Sequence, residues 1–402
     1  MHIQRIQVPD FRALKNVDIT FEKEFTPRIF PLGSLNGGGK STLLQLIFVL
    51  LHCAGNPDRV GAIPNLLYSF QVNDESGKRT LAIIDIWDGS KNIRLDFFVC
   101  DESYILNFIR VYNEADAAKY ETLSVINSNQ TELSRNQKYL LNDFLKRNKL
   151  LLISAHKNIS INNQLKEEAL VCKIDGIDIN EGNEFLITIS NQIFLAAHIS
   201  QIFLFLQPNN RKSLFKKQEN NQTNYYQIIK TANSKLPGFF TYDFLAIDIL
   251  IEAFKKARDE DFKQAVEQGG NYGNNYVKLI AELNNLLTNK KINVQPDLSG
   301  INFKIDGDDT ELYPEDLSHG ELKRLCIYMW LKYNNIKDAI VLMDELEISF
   351  HPDWQYQIVR DLEEWGATNQ YILATHSYEI CQAVTPAHVK ELDPKLQLKT
   401  IQ

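Results

Sequence analysis

Apolar residues between positions 3 and 21 recur at short, near-alternating intervals (Ile3, Ile6, Val8, then Leu14, Val17, Ile19, Phe21), with Pro9 and Asp10 as punctuation. That spacing predicts two strands joined by a turn. A third apolar run over 29–32 ends at Gly33 in a glycine cluster, and 43–53 reads as a nearly all-apolar buried helix, so the local order is strand, glycine loop, helix. Residues 80–100 form two β-rich runs around Asp88 and Gly89, the signal for an antiparallel hairpin. The middle third is less periodic. Residues 101–190 mix short amphipathic stretches with Asn and Ser, and 207–235 is polar and Asn-rich, predicting a loop or a segment ordered by a partner. Helical spacing returns over 239–287 with a break near 268–275. The pattern then sharpens into a helix over 321–333, a strand over 339–343, a helix over 353–365 and a strand over 370–374. Alternating β and α elements predict a largely parallel, doubly wound sheet at this end.

Composition narrows the class. With 402 residues and 44% apolar content the chain is long enough for two or three domains and a sizeable core, which excludes collagen, rod and mini-protein readings. The five cysteines are scattered singly, without CxxC or Cys/His ligand spacing, so neither a disulfide framework nor a structural zinc site is predicted. The N-terminus lacks an apolar signal core, and the greasiest internal run, 193–206, is interrupted by His198, Ser200 and Gln201. A soluble, cytoplasmic protein without a membrane partner is expected. The net charge of −8 argues against a surface coated for nucleic acid. Locally, however, 211–235 carries six basic residues and one acid, with Phe215, Tyr225 and Tyr226 interleaved. Arg211, Lys212, Lys216 and Lys217 are therefore candidate DNA contacts, with a solvated loop as the plainer reading. His52, His156, His198 and His351 lack partners at ligand spacing and are expected to be structural.

Three constellations carry chemistry. The segment from Gly33 through Ser34, Leu35, Asn36, Gly37, Gly38, Gly39, Lys40 and Ser41 to Thr42 follows a strand and opens a helix. This is the context of a phosphate-binding loop: small residues let backbone N–H groups wrap phosphates, Lys40 reaches the β and γ oxygens, and Ser41 offers a hydroxyl to Mg²⁺. Ser34 stands where the first glycine of that motif is usual. The strand at 339–343 ends in Asp344 and Glu345, a carboxylate to hold Mg²⁺ and a neighbour to polarise water. Leu317, Ser318, His319, Gly320 and Glu321 precede an amphipathic helix and read, alone, as a helix cap.

Taken with the runs at 347–352 and 374–377 and the opening hairpin at 10–15, these motifs resemble ABC-type ATPases of the SMC, RecF and OLD-related kind. The resemblance covers about residues 1–50 and 312–390. It implies an α/β P-loop head with a mixed sheet, an antiparallel β subdomain and a helical inserted subdomain, divided as 1–100, 101–310 and 311–402. It also makes Ser318 and Gly320 of the signature motif contacts for the γ-phosphate bound to a second subunit, and His376 the switch histidine. A glutamine linking core to insertion senses Mg²⁺ in such proteins, and Gln207 at the end of the apolar run is the candidate. His319 and Leu346 depart from the group's usual small residue and proline, which bears on hydrolysis rate and dimer interface. The insertion has too few heptads for an SMC rod, and 26 residues after His376 leave no room for a Toprim nuclease domain. The expectation is an ATP- and Mg²⁺-dependent homodimer or higher oligomer that gates a separate effector, a nuclease or toxin. Septu, retron-linked and PARIS antiphage systems have such stand-alone ATPases. The alternatives are a RecF-type repair ATPase binding DNA directly and a nucleotide-sensing scaffold with little turnover.

Overall fold

The computed structural model describes residues 1–68, 70–72, 76–101, 104, 145, 148–159, 165–198, 201, 236–242, 247–295, 300–308 and 310–392. The chain opens with the hairpin β1 (His2–Phe11) and β2 (Leu14–Thr20), runs through β3 (Ile29–Gly33) into α1 (Lys40–Ala54) and the short α2 (Ile63–Leu66), and returns as β4 (Lys78–Trp87) and β5 (Asn92–Asp101). Then come β6 (Leu150–Ile159), β7 (Leu165–Asp175), α3 (Ile179–Gln192), β8 (Ile193–Ala197), β9 (Phe239–Thr241), α4 (Ile247–Glu267) and α5 (Asn275–Asn284). The remainder is β10 (Lys290–Val294), β11 (Ile301–Ile305), β12 (Glu311–Leu312), α6 (His319–Tyr333), β13 (Ile340–Asp344), α7 (Pro352–Trp365), β14 (Gln370–Ala374), α8 (Tyr378–Gln382) and β15 (Lys390–Glu391).

Three sheets result. One is antiparallel, in the order β2-β1-β4-β5-β7-β6; one is parallel, in the order β15-β3-β14-β13-β8-β9; the third is the small antiparallel β10-β11-β12. The parallel sheet is covered on both faces, which is why its strands read as continuous apolar runs rather than as alternation. Period-two geometry still sorts their side chains. Phe30, Leu32, Leu195, Ile340, Leu342 and Ile372 pack toward α1 and the antiparallel sheet, whereas Ile29, Ala196, Val341, Met343 and Leu373 pack toward α4, α6 and α7. Sandwiched between two sheets, α1 is buried all round from Leu43 to Cys53. Each leucine so buried stabilises the fold by roughly 1.5–3 kcal/mol.

The span read as a helical insertion is more mixed. It supplies β8 and β9 to the parallel sheet, β6 and β7 to the antiparallel one, and β10 and β11 to the small sheet, besides α3, α4 and α5. A register shift between Leu152 and Ser154 in β6 breaks the alternation that would have marked that strand in the sequence. β8, which opens the apolar run at 193–206, ends at Ala197.

Candidate nucleotide site

β3 delivers the phosphate loop to the edge of the parallel sheet. Gly37 and Gly39 have φ of 82° and 93°, left-handed conformations that favour glycine, and a Cβ on Gly39 would lie 2.7 Å from Leu14 Cδ2. The tip of the first hairpin therefore braces the loop, and Gly39 leads directly into α1. Lys40, 7% exposed, points back along the loop. Its Nζ donates to Ser34 O at 3.2 Å and to Ser34 Oγ at 3.0 Å and lies 2.9 Å from His376 Nε2. With Lys40 donating, Nε2 is the acceptor and the imidazole proton sits on Nδ1. Ser34, the departure from the usual glycine, thus gives the lysine a hydroxyl partner.

Asp344 ends β13 at 1% exposure. Burial pushes its carboxyl above the ordinary carboxylate range, against hydrogen bonds from Gln201 and Ser41 and with Glu345 and Glu347 nearby. Gln201 Nε2 donates to Asp344 Oδ2, and Gln201 Oε1 accepts from Gln45 Nε2 of α1 at 2.9 Å. Asp344 Oδ1 is buried and accepts no hydrogen bond. A buried carboxylate oxygen without a donor, beside a serine hydroxyl and a carboxamide, is a hard-oxygen set that fits Mg²⁺. No group of three or more His, Cys, Asp or Glu among the described residues could hold a metal. Ser41 and Asp344 would hold the ion, which would neutralise the charge of the β and γ phosphates.

Glu345 follows in a left-handed conformation, φ 51°, with its N–H donating to Ala374 O at 2.9 Å. The turn from 345 to 349 is anchored from α6 by Lys323, 4% exposed, whose Nζ donates to Glu345 O at 3.2 Å and Ile348 O at 3.1 Å. The same ammonium lies 4.0 Å from the centroid of the Tyr242 ring. Burial lowers Lys323 to about 7 despite the opposing pull of Glu347 and Glu345. On the other side of the turn, Glu347 Oε1 accepts from the His376 backbone N at 2.6 Å, fixing the start of the loop after β14.

The segment from Leu317 to Glu321 is held by its own cap. Ser318 is the N-cap of α6 and forms a capping box with Glu321, with Glu321 N donating to Ser318 Oγ at 3.2 Å and Ser318 Oγ donating to Glu321 Oε2 at 2.9 Å. Gly320 is required by packing, since a Cβ there would lie 2.7 Å from Ser349 O. Of the two predicted signature contacts Gly320 therefore abuts the turn after β13 and Ser318 is held on Glu321, while Lys40 meets His376 and Ser41 meets Asp344. Asn36 lies on the exposed rim of the loop, Gly38 N closes a turn onto Leu35 O at 3.1 Å, and Thr42 is half-buried in the first turn of α1. Gln207, Arg211, Lys212, Lys216 and Lys217 lie outside the described residues. The glutamine that the structure places on Asp344 is Gln201. A strand end drawn at Ala197 rather than at the end of the apolar run would have singled it out in the sequence. Lys323 carried no comparable local signal, and Glu347 was marked only as the first residue of the run at 347–352.

No helix among the described residues is long and apolar enough to cross a membrane. Over 63 residues the chain is 42% identical to the Retron Vc95 probable ATPase of Vibrio cholerae serotype O1 biovar El Tor, a stretch covering 15% of this chain and 12% of that protein. Over 51 residues it is 36% identical to the Retron Ec83 probable ATPase of Escherichia coli, covering 13% and 9%. The chain thus spans about a tenth of the length of these curated relatives. Among solved structures, the SMC head domain from Thermotoga maritima superposes with a TM-score of 0.41 at 9% identity, over 96% of this chain and 92% of that one. The Smc head domain derived from Pyrococcus furiosus, bound to the C-terminal domain of ScpA, gives 0.40 at 12%, over 95% and 92%. The AAA ATPase domain family model matches residues 1–381, which contain every element of the site just described, and the chain belongs to that family.

Proposed function

We propose that this ATPase binds ATP and Mg²⁺ in the site around Lys40, Ser41 and Asp344, and that two protomers close on the bound nucleotide to gate a separate effector protein in cytoplasmic antiphage defence. The observation that carries the nucleotide reading is the convergence of Lys40, Ser34 and His376 on one side and of Ser41, Gln201 and the orphaned Asp344 Oδ1 on the other. Backbone N–H groups of 36–39 and the start of α1 at Lys40, Ser41 and Thr42 receive the phosphates. Glu345 orients and deprotonates the attacking water, and His376 hydrogen-bonds the γ-phosphate. Positioning and electrostatics are sufficient for this chemistry. Ser318 and Gly320 complete the partner's site, so that ATP holds the two heads together. The names of the two retron relatives support the defence role and the separate effector.

The decisive experiment purifies Glu345→Gln protein, expressed with its native neighbouring genes, with and without ATP and Mg²⁺, and measures the mass and composition of the assembly. An ATP-dependent gain of a second copy and a companion protein is expected. An unchanged monomer would overturn the shared-site mechanism. A homodimer carrying DNA and no companion protein would overturn the effector role. Steady-state phosphate release by Glu345→Gln should fall by about 10²–10⁴-fold, the usual contribution of a positioned base.

A further inference from the structure

Ser318 is not free to choose its hydrogen bonds. Its hydroxyl donates to Glu321 Oε2 at 2.9 Å and accepts from Glu321 N at 3.2 Å, and its own backbone N also donates to Oε2 at 3.2 Å. The carboxylate that organises this cap is 5% exposed. Burial alone would raise its pKa, but hydrogen bonds from Lys290 and Ser318 outweigh burial and hold it below the usual range, so it carries a negative charge. A buried anion one hydrogen bond behind a serine is a poor neighbour for a triphosphate, because like charges repel strongly where water is excluded. One cation meets it: Lys290 Nζ donates to Glu321 Oε1 at 2.8 Å. Lys290 comes from β10 of the small sheet, distant from the capping box in sequence and in a different element. With Oε1 gripped by Lys290, Oε2 remains turned toward Ser318.

We propose that Lys290 is a positioning residue for the site completed between two protomers: it cancels the charge of Glu321 and holds the capping box that seats Ser318 and Gly320 at the start of α6, where they meet the partner's nucleotide. This rests on the reading of Ser318 as the residue that completes a neighbour's ATP site. Glutamine at 321 would keep the capping geometry and needs no counter-charge, so the demand for Lys290 follows from the choice of glutamate at that position.

The test is sedimentation velocity of Glu345→Gln protein with ATP and Mg²⁺, in which the dimer is followed as a function of concentration. Lys290→Met is expected to weaken ATP-dependent dimerisation at least tenfold, and Lys290→Arg to keep it. The affinity of dilute, monomeric protein for mant-ATP should stay within twofold, because Lys290 touches none of the phosphate-loop residues. Removing the charge pair together is the sharper measurement. Lys290→Met/Glu321→Gln should dimerise as tightly as Glu321→Gln alone, a comparison that does not depend on the single Lys290→Met protein folding. Dimerisation of Lys290→Met at the parent's strength, or a double variant weaker than Glu321→Gln, overturns the proposal. Ser318→Arg separates this failure from that of the underlying reading. If Ser318→Arg abolishes the dimer while Lys290→Met does not, only the role of Lys290 is lost. If Ser318→Arg dimerises normally, the shared site itself is wrong.

Discussion

The helix behind the phosphate loop and the helix capped by Ser318 are each 15 residues long and largely buried, yet they are held by opposite means. α1 is seated by apolar contact from Leu43 to Leu51 against two sheets. α6 has an apolar face against the parallel sheet, but its orientation is set by buried charges: Glu321 on Lys290, Lys323 on the turn after β13, and Arg324 on Asp361 of α7. Hydrophobic burial is non-directional and tolerates small slides. Hydrogen-bonded charges are directional and leave few alternative registers. The difference matches the work of the two helices. On the proposed reading the phosphate loop needs a rigid base, and the segment at 317–321 needs a defined angle relative to the turn after β13.

Breaking α6 at its ion pair should give the largest effect. Arg324 Nε and Nη2 lie 2.7 and 3.0 Å from the two oxygens of Asp361, which is 4% exposed. Arg324→Ala is expected to cost roughly 3–5 kcal/mol in urea unfolding because it strands a buried carboxylate, whereas Arg324→Met/Asp361→Leu should recover most of that loss. On α1, Leu46→Ala is expected to cost roughly 2–5 kcal/mol through the cavity it leaves, and no second substitution of a charged residue should rescue it. A double variant as unstable as Arg324→Ala would erase the distinction between the two helices.

Lys323 sharpens the comparison through pH. Burial lowers it to about 7 from an ordinary 10.5, so between pH 7 and 10 the unfolded chain binds the proton more tightly than the folded protein. Stability therefore rises with pH across that window, by up to about 1.4 kcal/mol per pH unit from this group, and the cost is constant below pH 7 where both states are protonated. Lys323→Met should flatten that rise in a series of thermal or urea transitions. An identical slope in both proteins would show that the buried ammonium does not lose its proton first. α1 has a smaller polar burden. His52 is fully buried, stacked 4.7 Å from Phe48, with neither ring nitrogen hydrogen-bonded, and burial lowers it to about 3. His52→Leu is expected to raise stability by about 1 kcal/mol, since it removes two unsatisfied buried polar atoms from an otherwise apolar seat. A loss of similar size would mean that the ring's stacking on Phe48 outweighs the cost of its unpartnered nitrogens.

The two helices were not equally legible in the chain. α1, β14 and the strand ending in Asp344 follow from runs of apolar residues bounded by glycine or acids, because local periodicity is enough to specify them. The hairpin at β4 and β5 was announced by Asp88 and Gly89, and Gly89 indeed adopts a positive φ of 116°. Inside the middle span the signal fails. β8 and β9 are five and three residues long and become strands because the core sheet offers them a parallel neighbour, Ile340 pairing with Ile193 and Leu195 with Phe239. The sequence points to Gln207 and the structure sets Gln201 on Asp344 for the same reason: hydropathy marks where apolar residues stop, whereas hydrogen bonding marks where the strand stops, at Ala197.

What the sequence determined by itself is the chemistry available: a glycine loop before a helix, a lysine and a serine at its start, two acids at a strand end, a serine cap before an amphipathic helix and a histidine after the last core strand. Each of these is a short-range pattern, written in residues that are neighbours in the chain. Which groups touch was decided by tertiary structure alone. Gln201 reaches Asp344 across 143 positions, Lys40 reaches His376 across 336, and Lys290 reaches Glu321 from another sheet. Hydrogen bonds and ion pairs act over a few ångströms and are indifferent to sequence separation, so the partner of a buried charge appears only once the sheets and helices have brought distant segments together.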